Sequence, residues 1–150
     1  MPLSHPSGVA LLLALVLSLA ASNPKPPVNT QSDTLALRGH DAVAYFADGQ
    51  TVRGLPQFEF QWNGARWRFV SAEHRDRFIK APERYAPQFG GYCAWAVAHN
   101  YTADGDPEAW KIVDGKLYLN YSKRVQKKWE ADIRGFIEQG ERNWPGVLSK

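Results

Sequence analysis

The chain has one cysteine, Cys93, and one methionine, at its start. A single thiol excludes both an intramolecular disulfide and a dithiol redox cycle of the CxxC type, so the fold must rest on its core. No apolar run reaches the ~20 residues that a bilayer span requires. Charge of one sign is also lacking: 18 basic and 15 acidic residues leave a formal +3. The basic residues are scattered among acids, apart from Lys123, Arg124, Lys127 and Lys128 on a predicted helix. That cluster reads as a solvated helix face, and no nucleic-acid partner is expected. No aromatic residue precedes Tyr45, so the core begins well into the chain.

What is present starts with the apolar stretch Val9 to Ala21. It has the length of the h-region of a secretory signal, and the small residues Ser18 and Ala20 satisfy the cleavage pattern. The preceding MPLSHPSG carries no Lys or Arg. The expected division is a signal peptide over residues 1–20, a Pro-rich linker over 21–34 and one domain over 35–150. Export places the mature chain in the periplasm or outside the cell, with no transmembrane span after signal removal. In such an oxidising compartment a lone Cys93 must be buried, metal-bound, reactive or paired between molecules.

Within the domain, Ala42 to Phe46 reads as a short strand, preceded by His40 and Asp41 and closed by Asp48 and Gly49. Phe58, Phe60 and Trp62 alternate with polar residues, Asn63 and Gly64 mark a tight turn, and Ala65, Trp67 and Phe69 alternate on the return. Ser71 caps a predicted helix that Pro82 stops, with Phe78 as its core contact and His74 on the same face. A second hairpin runs from Trp110 and Ile112 through Asp114 and Gly115 to Leu117, Leu119 and Tyr121, and Asn120 interrupts the apolar run. Ser122 caps a last helix whose buried stripe is Val125, Trp129, Ile133 and Phe136. The tail from Gly140 is expected to lie across the surface. The predicted class is α+β: a small antiparallel sheet, made of a strand and two hairpins, packed against two or three helices.

The stretch Gln88 to Tyr101 surrounds the thiol. Gly90 and Gly91 allow backbone angles that a Cβ would forbid, and Ala94, Ala96 and Ala98 favour a short, closely packed helix. Cys93 in its first turn is expected to have a lowered pKa, suited to a nucleophile or a metal ligand. The opposing reading is a small buried hydrophobe.

The segment W-x-F-V-S-x-x-H-x-x-x-F-x-x-x-P-x-x-Y, running from Trp67 through Ser71 and His74 to Tyr85, resembles the YHS domain. HDAVAYF resembles that family's opening motif, with Ala42 where proline is usual. GGYCAWAV and DPEAWKIVDGKLYLNYSKRVQKKW resemble its exported, single-domain branch. The resemblance covers roughly Leu37 to Trp144 and implies a binding module in which cysteines hold metal. In metal-type members cysteines stand where this chain has Ala44, Val70 and His74, and of these three residues only His74 can ligate.

Two sets of site residues follow. Cys93 and His74, joined by Asp41 or His99, form a Cys/His/carboxylate set suited to a transition-metal ion such as Cu, Zn or Ni. On a continuous helix His99 stands about 120° around from the thiol, so these two share a metal only if the helix ends between them. Alternatively Tyr92, Trp95, Tyr101, Trp110 and Asn120 line a pocket for a small ligand. The expected function is an exported binding module for a metal ion or small ligand near Cys93. A thiol-redox protein, with His74 or His99 as base, and a structural module for a protein partner are the rivals.

Overall fold

The computed structural model describes residues 1–4, 23–31 and 33–150; the apolar run and the cleavage position read as a signal lie outside them. The domain is α+β. Its strands pair as two separate two-stranded antiparallel sheets rather than one. The first joins β1 (Leu55–Trp62) to β2 (Ala65–Phe69), and the second joins β3 (Asp106–Val113) to β4 (Lys116–Asn120). Both turns are as predicted: Asn63 and Gly64 have φ of 51° and 78°, Asp114 and Gly115 have 51° and 73°. Two successive positive φ values match the twist of the flanking strands, which is why these dipeptides occur there.

The expected strand at Ala42 to Phe46 is instead a short helix, α1 (Ala44–Ala47). Asp41 is the physical reason. Its Oδ1 accepts hydrogen bonds from the amides of Val43 (2.8 Å) and Ala44 (3.1 Å), which engages donors that a strand ladder would need. Its Oδ2 accepts from the Val70 amide (2.9 Å) and from His74 Nδ1 (2.7 Å). The carboxylate, 0% exposed, thus ties α1 to the end of β2 and to α2 (Ala72–Lys80). Ser71 caps α2 as predicted, accepting from the His74 amide at 3.1 Å. Phe78, at the buried face of α2, lies 4.8 Å from the Trp67 ring and 5.1 Å from that of Phe69. Pro82 ends the α2 segment and opens a further short helix, α3 (Pro82–Tyr85).

Beyond α3 the chain forms α4 (Ala94–Ala98), the second hairpin, α5 (Lys123–Glu130) and α6 (Ile133–Asn143). The single last helix expected from the sequence is therefore two. Asp132 leaves the helical region at φ −153° and its Oδ1 caps the Gly135 amide at 3.1 Å, so a new helix starts inside the apolar stripe. Nor does the tail simply lie across the surface: Val147 is 0% exposed and packs in a core with Trp129 and Tyr118.

Two cores result, and β4 separates them. Leu117 and Leu119 face the core of the first hairpin, with Trp67, Phe69 and Phe78, while Tyr118 faces that of α4, α5 and α6. The strand period of two sends alternate side chains to opposite faces, and here both faces are dry. Asn120 falls on the Tyr118 side.

The stretch read as a linker packs on the domain. Val28 is 3% exposed, the Asn29 amide donates to the Gly90 carbonyl and the Lys25 amide to that of Leu148, both at 2.8 Å. Tyr92 Oη donates to the Pro26 carbonyl at 2.9 Å. Prolines restrict the strap's backbone, and two of its amides and one carbonyl attach it. Gly90 makes room for it: at φ +61°, a Cβ there would collide with the Pro27 carbonyl oxygen. Gly90→Ala is expected to cost about 1–3 kcal/mol and to expose the Asn29 amide to exchange. Gly49→Ala, at φ +65° with open space around it, is expected to show only the backbone cost. Urea denaturation with amide exchange at Asn29 distinguishes the two; equal behaviour would remove the strap collision as the cause.

Candidate functional site

The cysteine segment is positioned from below by backbone and from the side by β4. Gly90 and Gly91 have φ of 61° and 79° and turn the chain into Cys93, whose amide donates to the Ala103 carbonyl at 2.8 Å. Cys93 stands at the cap position before α4, where the sequence analysis puts it in the first turn. Ala94 and Ala96, 1% and 0% exposed, bring α4 close to its neighbours. Asn143 of α6 donates Nδ2 to the Val97 and Ala98 carbonyls (2.8 and 3.1 Å), satisfying the end of α4.

The Cys93 side chain is 1% exposed, and its Sγ donates to Asn120 Oδ1 at 3.6 Å. The same oxygen accepts from the Trp95 amide at 3.0 Å. Asn120, itself 1% exposed, is thus the polar link between β4 and the start of α4. Burial pushes the thiol pKa up, while the amides of Ala96, Tyr121 and Trp95 pull it down; burial wins. The expected lowered pKa is therefore corrected. A helix of one turn contributes little dipole, and a site closed to water penalises the thiolate more than three amides stabilise it.

Cys93 forms the floor of a cleft of about 320 Å³. Trp95, Tyr101 and Ala103 wall it on the cysteine side, and Tyr121, Val125 and Lys128 on the side of β4 and α5. Trp95 is held by His99 (ring centroids 4.2 Å apart) and by Phe136 (4.9 Å). Lys128 Nζ lies over the Trp95 ring, 5.9 Å from its centroid. Tyr101 and Tyr121 are 48% and 60% exposed. Such a cleft can receive a ring-bearing molecule among aromatic walls.

Of the residues proposed from sequence for a pocket, Trp95 and Tyr101 line this cleft and Asn120 supports its floor. Tyr92 turns away to the Pro26 carbonyl and to Trp144, 6.1 Å between centroids. Trp110 packs edge-on against Tyr45 at 5.0 Å, in the other core. Tyr121, Val125 and Lys128 were not singled out for the pocket. The available signal is helical spacing: Lys128 follows Val125 by three residues, so it shares the face to which the apolar stripe points.

The residues proposed for a metal do not converge. Asp41 and His74 are brought together, but both carboxylate oxygens of Asp41 are occupied by protein donors and His74 directs Nδ1 at one of them. Cys93 is bound to Asn120, and His99 donates Nδ1–H to the Trp95 carbonyl at 2.7 Å. The helix does end before His99, yet the imidazole lies stacked on Trp95 and Phe136. Among the described residues no three His, Cys, Asp or Glu side chains form a group able to hold an ion. The donor set does not fit the cysteine-held metal that the family resemblance implies. No family model matches the chain, and no curated protein and no solved structure matches it.

Two outcomes follow. The unfolded chain releases the Cys93 proton in the ordinary thiol range while the folded chain keeps it. Stability is therefore expected to fall as pH rises through the unfolded thiol pKa, until the folded value is passed. The difference between wild type and Cys93→Ala in urea denaturation from pH 7 to 10.5 isolates this slope from that of the buried tyrosines; a flat difference would contradict a raised pKa. Asp41→Asn places an NH₂ group against backbone N–H donors and is expected to cost roughly 2–4 kcal/mol, measured the same way at pH 7.

Proposed function

We propose that this protein is an exported binding module of the YHS type whose cleft above Cys93 holds a small organic ligand. The observation that carries the proposal is the cleft itself: three aromatic rings, a lysine and a neutral thiol from three separate chain segments line an open cleft of about 320 Å³. That is the low end of the range for small-molecule sites, and its balance of apolar wall and few polar groups is theirs too. Metal binding is the weaker reading because Asp41, His74, Cys93 and His99 are each engaged elsewhere.

A thiol-redox role has one observation in its favour, the three amides that draw the thiol pKa downward. Burial outweighs them, and Asn120 Oδ1 accepts the thiol proton, which favours the neutral form. Sulfenate trapping after peroxide treatment of the folded protein separates the readings: faster labelling than in the unfolded chain would support redox chemistry.

Binding is tested with neutral indole-3-acetamide by NMR on the folded protein. Saturable shifts are expected at the Trp95 indole N–H and at the Ala103, Tyr121 and Val125 amides. Ala103→Leu, which fills the cleft, is expected to abolish them with the rest of the spectrum unchanged. Shifts that survive Ala103→Leu would place binding elsewhere, and an absence of cleft shifts with this probe and with its anionic counterpart would overturn the proposal.

A further inference from the structure

The exposed aromatics of the domain are not distributed at random. Among the described residues every Trp, Phe and Tyr is buried or half-buried except Tyr101 and Tyr121. These two, 48% and 60% exposed, line the same cleft, one from the loop after α4 and one from the end of β4. A folded chain that covers all its other rings leaves two uncovered where they share a cleft with a third, Trp95. Exposed apolar surface concentrated in this way marks a contact site.

The charge of the cleft is equally one-sided. No acidic side chain lines it, the thiol at its floor is neutral, and Lys128 is its only cation. Among the described residues Lys128 forms no ion pair, whereas Lys111, which reaches the same helix, pairs with Glu130 at 3.4 Å. Lys123, Arg124 and Lys127 of α5 are exposed nearby in the chain and add potential of the same sign. The ammonium lies over the Trp95 ring, 5.9 Å from the centroid, so it is already placed at the edge of the aromatic wall.

We propose that the ligand of this cleft is a planar aromatic anion, with its ring among Trp95, Tyr101 and Tyr121 and its carboxylate or phosphate on Lys128. This rests on the reading of the cleft as a small-ligand site and adds the chemical class. The rings supply stacking surface, and the lysine selects charge: a neutral ring compound would leave the ammonium unpaired, and an aromatic cation would meet it as a like charge. Lys128 is the specificity-determining residue.

The test uses two probes of matched shape, indole-3-acetate and indole-3-acetamide, titrated into the folded protein and followed at the Trp95 indole N–H. Wild type is expected to bind the acetate about five- to tenfold more tightly, with a preference that shrinks at high salt. Lys128→Met is expected to bring the two probes to within about twofold, Lys128→Arg to restore the preference, and Lys127→Met, a more distant charge of the same sign, to lower it by less than about twofold. Both positions are exposed on α5, and circular dichroism checks that the three variants keep the fold. Equal or tighter binding of the acetamide by wild type would overturn the anion and leave the cleft as a ligand site. A preference that survives Lys128→Met would overturn the assignment to this lysine, and binding of neither probe would overturn the ligand site and its class together.

Discussion

Both cores of the domain share one wall, the five-residue strand β4. A strand buried on one face needs apolar residues at every second position; one buried on both needs them at all. Leu117, Tyr118 and Leu119 meet that demand, and none is more than 3% exposed. Asn120 is the residue at which the demand is broken, and a buried amide must find partners or cost free energy. It finds them in the Trp95 amide and the Cys93 thiol. The start of α4, and with it the floor of the cleft, is thereby fixed to the end of β4. The α5 wall follows from the same strand, because Tyr121 and the Ser122 cap come directly after Asn120, with Ser122 Oγ accepting from the Val125 amide at 3.1 Å.

The first half of the domain depends on a comparable polar centre. Asp41 is 0% exposed, and an isolated carboxylate there would be untenable. Four donors from three segments compensate it, three of them backbone amides. The consequence is that the histidine which resembles a family metal ligand serves here as a donor to a structural carboxylate. The two polar centres divide the work: Asp41 ties together the segments around the first hairpin, and Asn120 ties β4 to the start of α4.

What could be read from the sequence was what short-range physics determines. The two hairpins were legible because alternation and the Asn-Gly and Asp-Gly dipeptides act within a few residues, and α2 because Ser71, Phe78 and Pro82 mark its start, face and end. The run Ala42 to Phe46 was not, since a short apolar stretch buried on all sides has no period that separates strand from helix. Nor was the strap, whose attachment is through the Pro26 carbonyl and the amides of Lys25 and Asn29, backbone groups that carry no side-chain pattern. The same limit applies to the site. Trp95 and Tyr101 stand beside Cys93 in the chain and were legible as aromatic neighbours. Tyr121 and Lys128 reach the cleft only once β4 and α5 pack against α4; the spacing from Val125 gives the face of Lys128 but not what that face meets.

The chemistry at the floor of the cleft and the chemistry at its mouth are coupled through water. The thiol stays neutral because its surroundings are dry, despite three amides that would stabilise a thiolate. A ring lying against Trp95, Tyr101 and Tyr121 removes more water from the same space, which raises the cost of a thiolate further. An anion bound at Lys128 would add like-charge repulsion to a thiolate. On the proposed reading, ligand binding and thiolate chemistry would oppose each other in this cleft. A binding module for aromatic anions would keep an unpaired cysteine inert in an oxidising compartment, and a thiol-redox protein would need the same cleft wet and empty. Cys93, at 1% exposure, has the dry surroundings that keep a thiol neutral.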